Sequence, residues 1–185
     1  MNRRALLWVL LSVVAVMIHP SVAHATQIVL DSEKQMEFVR HYMEREEYDR
    51  AAQELERLTY FFPDDSRVPE ARCMTGWCYL KLRRFERARR ILWEVHESYS
   101  PGAPSEKALF LIGESCRLQG DIGEAVYYFQ RVLTDYPQAE AADEAQYRIG
   151  LVHMEVGQWH EASRTFELVP IQKRFLGTGK FPIQK

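Results

Sequence analysis

Apolar residues recur at helical spacing through most of the chain, in stripes separated by short polar turns. Near the middle of the chain, one stripe consists of Leu109, Ile112, Gly113 and Cys116. A second stripe consists of Ala125, Val126, Phe129, Val132 and Leu133. Residues three and four apart lie on the same side of a helix, and Gln119-Gly120-Asp121 separates the two stripes as a turn. The pattern therefore predicts two antiparallel helices joined by this turn.

This pair of helices recurs every 37 residues. Small residues mark the period at Gly76, Gly113, Gly150, Ala51, Ala88, Ala125 and Ala162. Bulky residues keep the same offset at Tyr48, Phe85, Ile122 and Trp159. We expect the small residues to let the two helices of a pair approach closely. The predicted fold is an all-α solenoid of about four helical hairpins, over residues 32–68, 69–105, 106–142 and 143–170.

The order of glycine, alanine, aromatic residue and terminal proline in these units resembles the tetratricopeptide repeat (TPR) family. The resemblance covers residues 32–170 and implies a right-handed α-solenoid of TPR-like hairpins with a concave, peptide-binding groove. Residues 136–150, of pattern YPxAxxAxxAxYxxG, are similar to repeats of periplasmic and outer-membrane members from Gram-negative bacteria, of the β-barrel assembly lipoprotein and Tol-Pal-associated types. The chain lacks the acylated cysteine of the first type and the coiled-coil segment of the second, so only the general class carries over.

The first 25 residues have the pattern of a secretory signal peptide. Arg3 and Arg4 precede an apolar run over residues 5–18, and small residues at Ala23 and Ala25 form a cleavage site. The run is shorter than the roughly 20 residues of a membrane-spanning helix. We therefore expect export to the periplasm, with residues 26–31 as a linker, and keep an uncleaved inner-membrane anchor as the alternative. No cysteine precedes Cys73, so no lipid anchor is expected.

Charge argues against nucleic-acid binding. The formal net charge is −2, from 24 basic and 26 acidic residues, and a broad cationic surface is what phosphate binding requires. One segment, Lys81 to Arg90, is strongly basic and could hold an anionic lipid or phosphate. The interpretation we favour is pairing between neighbouring units, because Lys81, Arg83 and Arg84 are one period away from the acids Glu44, Glu46 and Glu47.

A second stripe on the first helix of each unit suggests a binding surface, because one stripe is enough to pack a hairpin. The predicted groove residues are Met36, Arg40, Met43, Trp77, Leu80, Phe110, Glu114, Arg117, Tyr147, Leu151 and Met154. In the family that the chain resembles, these positions face a bound peptide. We expect Trp77 and Tyr147 to be the main anchors, and Arg40 and Arg117 to orient carboxylates of the partner. The alternative is that some of these residues pack against the neighbouring first helix.

The cysteines and histidines do not predict an enzyme. Cys78 and Cys116 lie on consecutive first helices and could form a disulfide, with buried free thiols as the alternative. A thiol enzyme built on Cys116 and His153 is disfavoured, because tyrosines occupy the same register in other units. No cluster has the spacing of metal ligands, so we expect no metal and no cofactor.

The last unit ends early, because Pro170 follows directly after Val169. Phe166 and Leu168 leave this end without an obvious polar cap, so residues 171–185 are expected to form a tail or capping segment, or else the open end supports a homo-oligomer. The predicted function is an exported adaptor or scaffold that binds a protein or peptide partner in a cell-envelope assembly. The alternative is a structural, self-associating subunit of an envelope complex.

Overall fold

The computed structural model of the chain describes residues 31–169, which form eight α-helices and no strand. The helices are α1 (Ser32–Glu44), α2 (Tyr48–Phe61), α3 (Val68–Lys81), α4 (Phe85–Ser98), α5 (Ala103–Gln119), α6 (Ile122–Asp135), α7 (Glu140–Glu155) and α8 (Trp159–Glu167). The all-α prediction is confirmed for these residues. The predicted signal peptide and the predicted tail lie outside them.

The helices form four consecutive units, α1/α2 to α7/α8, and each helix packs against the next one along the chain. First helices of neighbouring units also contact each other, α3 with α5 and α5 with α7. Helices α3, α5 and α7 begin at Val68, Ala103 and Glu140, up to three residues before the predicted unit boundaries. In α3 and α5 a proline occupies the first turn, where its missing N–H costs nothing. These first helices therefore begin within the last residues that the sequence-based boundaries gave to the preceding unit.

The glycines of the first helices lie against bulky side chains of the second helices. A Cβ atom at Gly76 would lie 2.6 Å from Leu92, and one at Gly113 would lie 2.8 Å from Phe129. At Gly150 it would overlap the ring of Phe166. The repeated alanines of the second helices are all buried. Small residues at these positions are thus required by the close packing within each hairpin.

The turn inside each unit contains one residue with a left-handed backbone. These residues are Glu46, Arg83, Gly120 and Gly157, with φ of 58°, 56°, 89° and 75°, and they are spaced by the same period of 37. Glycine adopts this conformation without the steric cost that other residues incur. Units 3 and 4 have glycine there, whereas units 1 and 2 hold a charged residue in the same geometry, so the period extends to backbone conformation.

Opposite charges meet between units 1 and 2, though not through the acids expected from the sequence. The guanidinium of Arg84 lies 3.0 Å from Asp49, and that of Arg87 lies 2.8 Å from Glu56. Both acids are on α2, beside α4, rather than in the turn. Glu47 is instead engaged within its own unit by Arg45 and Arg50.

Candidate peptide-binding groove

The predicted groove residues differ widely in exposure. Two are exposed, Arg40 and Met154. Seven are half-buried, namely Met36, Trp77, Phe110, Glu114, Arg117, Tyr147 and Leu151. The remaining two, Met43 and Leu80, are buried. The surface available to a partner is thus narrower than the stripe in the sequence.

Three half-buried aromatic rings are held by packing against second helices. Trp77 packs edge-on against Tyr48, with ring centroids 5.3 Å apart, and the ammonium of Lys81 lies 5.0 Å from the Trp77 ring. Phe110 contacts Phe129 at 5.4 Å, and Tyr147 contacts Phe166 at 5.5 Å. Each ring therefore has a fixed orientation and keeps part of its surface exposed.

Two residues of the predicted groove belong to the core instead, and this corrects the sequence analysis. Met43 is 7% exposed and Leu80 is 4% exposed. The sulfur of Met43 lies 3.6 Å from the Cys78 thiol of the next unit. For Met43, the alternative of packing against the neighbouring first helix is correct, because the first helices of units 1 and 2 approach closely enough for these side chains to touch.

Ion pairs occupy the groove positions of units 3 and 4. Glu114 accepts two hydrogen bonds from Arg117, at 3.0 and 3.1 Å, and lies 3.6 Å from Arg148. Arg117 also reaches Glu155 at 2.8 Å. The hydrogen bonds to Glu114 raise the pKa of the Arg117 guanidinium. Arg117, which we expected to orient a partner's carboxylate, is thus already paired with two carboxylates of the chain.

Arg40 differs from Arg117, since it is exposed and forms no ion pair with the residues between 31 and 169. It remains available to a carboxylate of a partner. The groove thus has an open arginine in unit 1, aromatic rings in units 2 to 4, and a closed ion-pair network in units 3 and 4.

Arg148 is the groove-side residue that the sequence analysis missed. One and two periods earlier its position holds Leu111 and Met74, both buried. Arg148 instead contacts Glu144 at 3.0 Å and Glu114 at 3.6 Å. The sequence does contain a signal for Arg148, because a charged residue stands there at a position that is apolar in two other units.

The cysteines are three buried free thiols, so the structure does not contain the suggested Cys78–Cys116 disulfide. Cys78 contacts Met43, and the Cys116 thiol lies 3.6 Å from a carboxylate oxygen of Glu124. Burial raises the pKa of Cys73 and of Cys78 to about 12, and also raises that of Cys116. His153 hydrogen-bonds to Gln158 at 2.7 Å. A raised pKa keeps these buried thiols protonated, and it is the thiolate that acts as a nucleophile.

No group of histidine, cysteine and acidic side chains between residues 31 and 169 has the geometry of a metal site. Within the same range, every helix is too short or too polar to cross a membrane.

Solved structures with this fold come from several organisms. MamA (41-end) from Desulfovibrio magneticus RS-1 superposes with a TM-score of 0.58 at 16% identity, covering 75% of this chain and 73% of that chain. A Podospora anserina putative kinesin light chain with nearly identical TPR-like repeats gives 0.60 at 15% identity, covering 81% and 78%. The Rap conjugation gene regulator of plasmid pLS20, in complex with the Phr* peptide, gives 0.63 at 14% identity, covering 81% of this chain and 47% of that chain.

Sequence comparison identifies the family. No curated protein matches the chain as a whole. The tetratricopeptide repeat profile matches residues 36–104 and 73–140, which together are more than half of the sequence and cover most of the first three units. The chain belongs to the tetratricopeptide repeat family.

Proposed function

We propose that this chain is a noncatalytic adaptor that binds a segment of a partner protein along α1, α3, α5 and α7. The observation that carries the proposal is the set of aromatic rings Trp77, Phe110 and Tyr147, each fixed by a neighbouring ring and each partly exposed. Side chains that are already ordered lose little conformational entropy when a partner binds. Aromatic residues are also enriched among the residues that dominate binding energy.

The charged residues of the groove define the partner further. Arg40 offers a guanidinium without a carboxylate partner in the described range. Arg117 and Arg148, in contrast, are paired with Glu114, Glu144 and Glu155. A segment with an acidic residue near unit 1 and apolar side chains along units 2 to 4 fits this arrangement. The Rap regulator, which has the same fold, was solved with a bound peptide, and this supports the mode of binding.

The site of action that we propose is the bacterial cell envelope. Residues 1–25 have the charge, apolar length and small residues of a cleavable export signal. The run from Tyr136 to Gly150 is similar to repeats of envelope members of the family. Cleavage after Ala25 would release a periplasmic chain that begins at Thr26.

Site-specific photocrosslinking tests the groove. A benzophenone amino acid is placed at Arg40 or Met154, which are exposed groove positions, and at Tyr60, which is 79% exposed on α2 and serves as control. We expect a discrete adduct with a partner protein from the groove positions only. Leu151→Glu, which puts a carboxylate beside Met154 one turn away, should abolish the adduct from that position.

Equal adducts from Tyr60, or an unchanged adduct in Leu151→Glu, would contradict binding in the groove. The same cultures test export, since the protein should be recovered from the periplasm with the intact mass of a chain that begins at Thr26. Circular dichroism of each variant verifies that the helices are retained.

A second candidate function is self-association through the end formed by unit 4. Trp159 is 66% exposed and Leu168 is 73% exposed, and exposed apolar residues at a solenoid end favour contact with another surface. A structural subunit would use this end to bind a further copy of the chain.

A further inference from the structure

A second distinctive surface lies on the second helices, where units 2 and 3 meet. Two adjoining hollows open there and share Glu86 and Arg90. One, of about 470 Å³, is bordered by Arg83, Arg87 and Gln119. The other, of about 330 Å³, lies between α4 and α6 and is bordered by Trp93 and Tyr128. We call this surface the arginine seam, comprising Arg83, Arg87, Arg90, Trp93, Tyr127 and Tyr128.

Among the four units, only the one that carries the arginines of the arginine seam has more basic than acidic residues. Residues 69–105 contain seven arginine and lysine residues and four acids, whereas acids exceed bases in each of the other three units. Three of the local arginines already bind carboxylates of the chain, Arg84 to Asp49, Arg87 to Glu56 and Arg89 to Glu86. These contacts are carboxylate–guanidinium pairs, and an acidic protein segment would form the same type of pair with the remaining arginines.

Two arginines of the seam remain open. Arg83 and Arg90 are exposed, and neither forms an ion pair with any residue between 31 and 169. The guanidinium of Arg83 lies 5.4 Å from the centroid of the Phe85 ring, which restricts its position. Both arginines border the larger hollow, so a chain lying there could receive hydrogen bonds from two guanidinium groups.

Aromatic rings form the wall of the smaller hollow. Trp93 and Tyr128 pack edge-to-face with centroids 6.1 Å apart, and Tyr127, which is 54% exposed, packs against Tyr128 at 5.2 Å. At the position of Trp93 the other units have Glu56, Gln130 and Glu167. Solenoid packing does not require an aromatic residue there, whereas arginine, tryptophan and tyrosine together are typical of protein-binding surfaces.

We propose that the arginine seam is a second docking surface, for an acidic segment of a partner protein that also carries an apolar side chain. Carboxylates of that segment bind Arg83 and Arg90, and its apolar side chain packs against Trp93 and Tyr128. The aromatic wall of the smaller hollow suits an apolar side chain of an extended segment better than the flat surface of a bilayer. This surface is separate from the groove, so its function does not depend on the groove's.

Fluorescence anisotropy with a defined peptide tests the proposal. A short fluorescein-labelled peptide of repeating aspartate, glutamate and phenylalanine is compared with its asparagine, glutamine and phenylalanine counterpart. We expect the acidic peptide alone to bind, with affinity that falls as salt is raised because exposed charges are screened. Arg83→Glu/Arg90→Glu should weaken binding at least tenfold, and Arg90→Gln should give a smaller loss.

Arg164→Glu is the matched control, since Arg164 is exposed on α8 at the repeat position of Arg90 and should bind as wild type. Tyr127→Ala should weaken binding without changing its salt dependence. Equal binding of the neutral peptide, or wild-type affinity in Arg83→Glu/Arg90→Glu, would overturn the proposal. So would arginine-dependent binding to phosphatidylglycerol vesicles without peptide binding, which would make the seam a lipid surface.

Discussion

At the scale of single residues, the helical glycines differ in whether they lie where two helices touch. Gly113 and Gly123 are both helical, yet only Gly113 faces a neighbouring side chain. A Cβ at Gly113 would lie 2.8 Å from Phe129, whereas one at Gly123 would have no atom within 4 Å. Phe129 is fully buried and cannot retreat into solvent. The two positions therefore form a matched pair.

We expect Gly113→Ala to lower the free energy of unfolding and Gly123→Ala to raise it. Crowding of a packed core costs about 1–3 kcal/mol, which exceeds the helix propensity that alanine adds, up to about 1 kcal/mol. At Gly123 only the propensity gain remains. Urea unfolding followed by circular dichroism measures both changes. Equal stabilisation by the two substitutions would mean that the hairpin has room for a methyl group at Gly113.

At the scale of elements, a polar clamp connects the α2–α3 loop to the start of α1. Asp65 accepts hydrogen bonds at 2.9 Å from the backbone N–H and from the guanidinium of Arg67. The same guanidinium contacts the hydroxyl of Ser32. The hydrogen bonds from the Arg67 side chain hold the pKa of Asp65 well below its ordinary value. The clamp is one of the few polar contacts that join the beginning of unit 1 to unit 2.

This clamp predicts a specific loss of stability in acid. A carboxyl whose pKa is lower in the folded state stabilises the fold above the pKa of the unfolded chain, about 3.9, and the stabilisation is lost as pH falls below that value. Asp65→Asn should therefore be less stable than wild type at pH 7, with a smaller difference at pH 3. Urea midpoints at both values measure this. The adjacent, exposed Asp64 provides the control Asp64→Asn, and a deficit of Asp65→Asn that is the same at both pH values would contradict the role of ionisation.

At the scale of the whole molecule, the two ends of the described repeats differ in polarity. Unit 2 buries Ala71, Thr75 and Cys78. The same positions of unit 1 hold Lys34, Phe38 and His41. All three of these are exposed, and two of them are polar. Unit 4 instead exposes Trp159, whose equivalents Tyr48, Phe85 and Ile122 are half-buried. An apolar end of this kind favours association.

We expect the protein to associate through unit 4 if it is a structural subunit. Light scattering coupled to size exclusion should then show a mass that rises with concentration in wild type and stays monomeric in Trp159→Lys/Leu168→Lys. Tyr60→Lys, equally exposed but on unit 1, should behave as wild type. A wild type that is monomeric at every concentration would exclude this second candidate function. Residues 171–185 would then be the first segment to examine as a cover for this end.

Helix pairing and the repeat period could be predicted from the sequence, because local spacing decides which side of each helix is apolar. The close packing at Gly113 follows from the same register, since glycine recurs at Gly76 and Gly150 and the position of Phe129 holds Leu92 and Phe166 in those units. The groove was predicted less accurately. Met43 and Leu80 are of residue types that are common in binding sites. Their burial depends on the distance between neighbouring first helices, and the apolar pattern of a single helix does not indicate that distance.

The sequence by itself determined the all-α class, the four hairpins and the family, since these depend on periodic contacts between residues close along the chain. Only the tertiary structure decided which charges are available. The sequence predicts the same role for Arg40 and Arg117. In the structure Arg117 forms ion pairs with Glu114 and Glu155, whereas Arg40 is exposed and pairs with no carboxylate of the described residues. Likewise Arg83 and Arg90 remain open beside arginines bound to acids of α2. An ion pair between two units forms only where the packed helices bring the two side chains within contact distance. Those distances are set by the packing of the repeats and not by the local sequence.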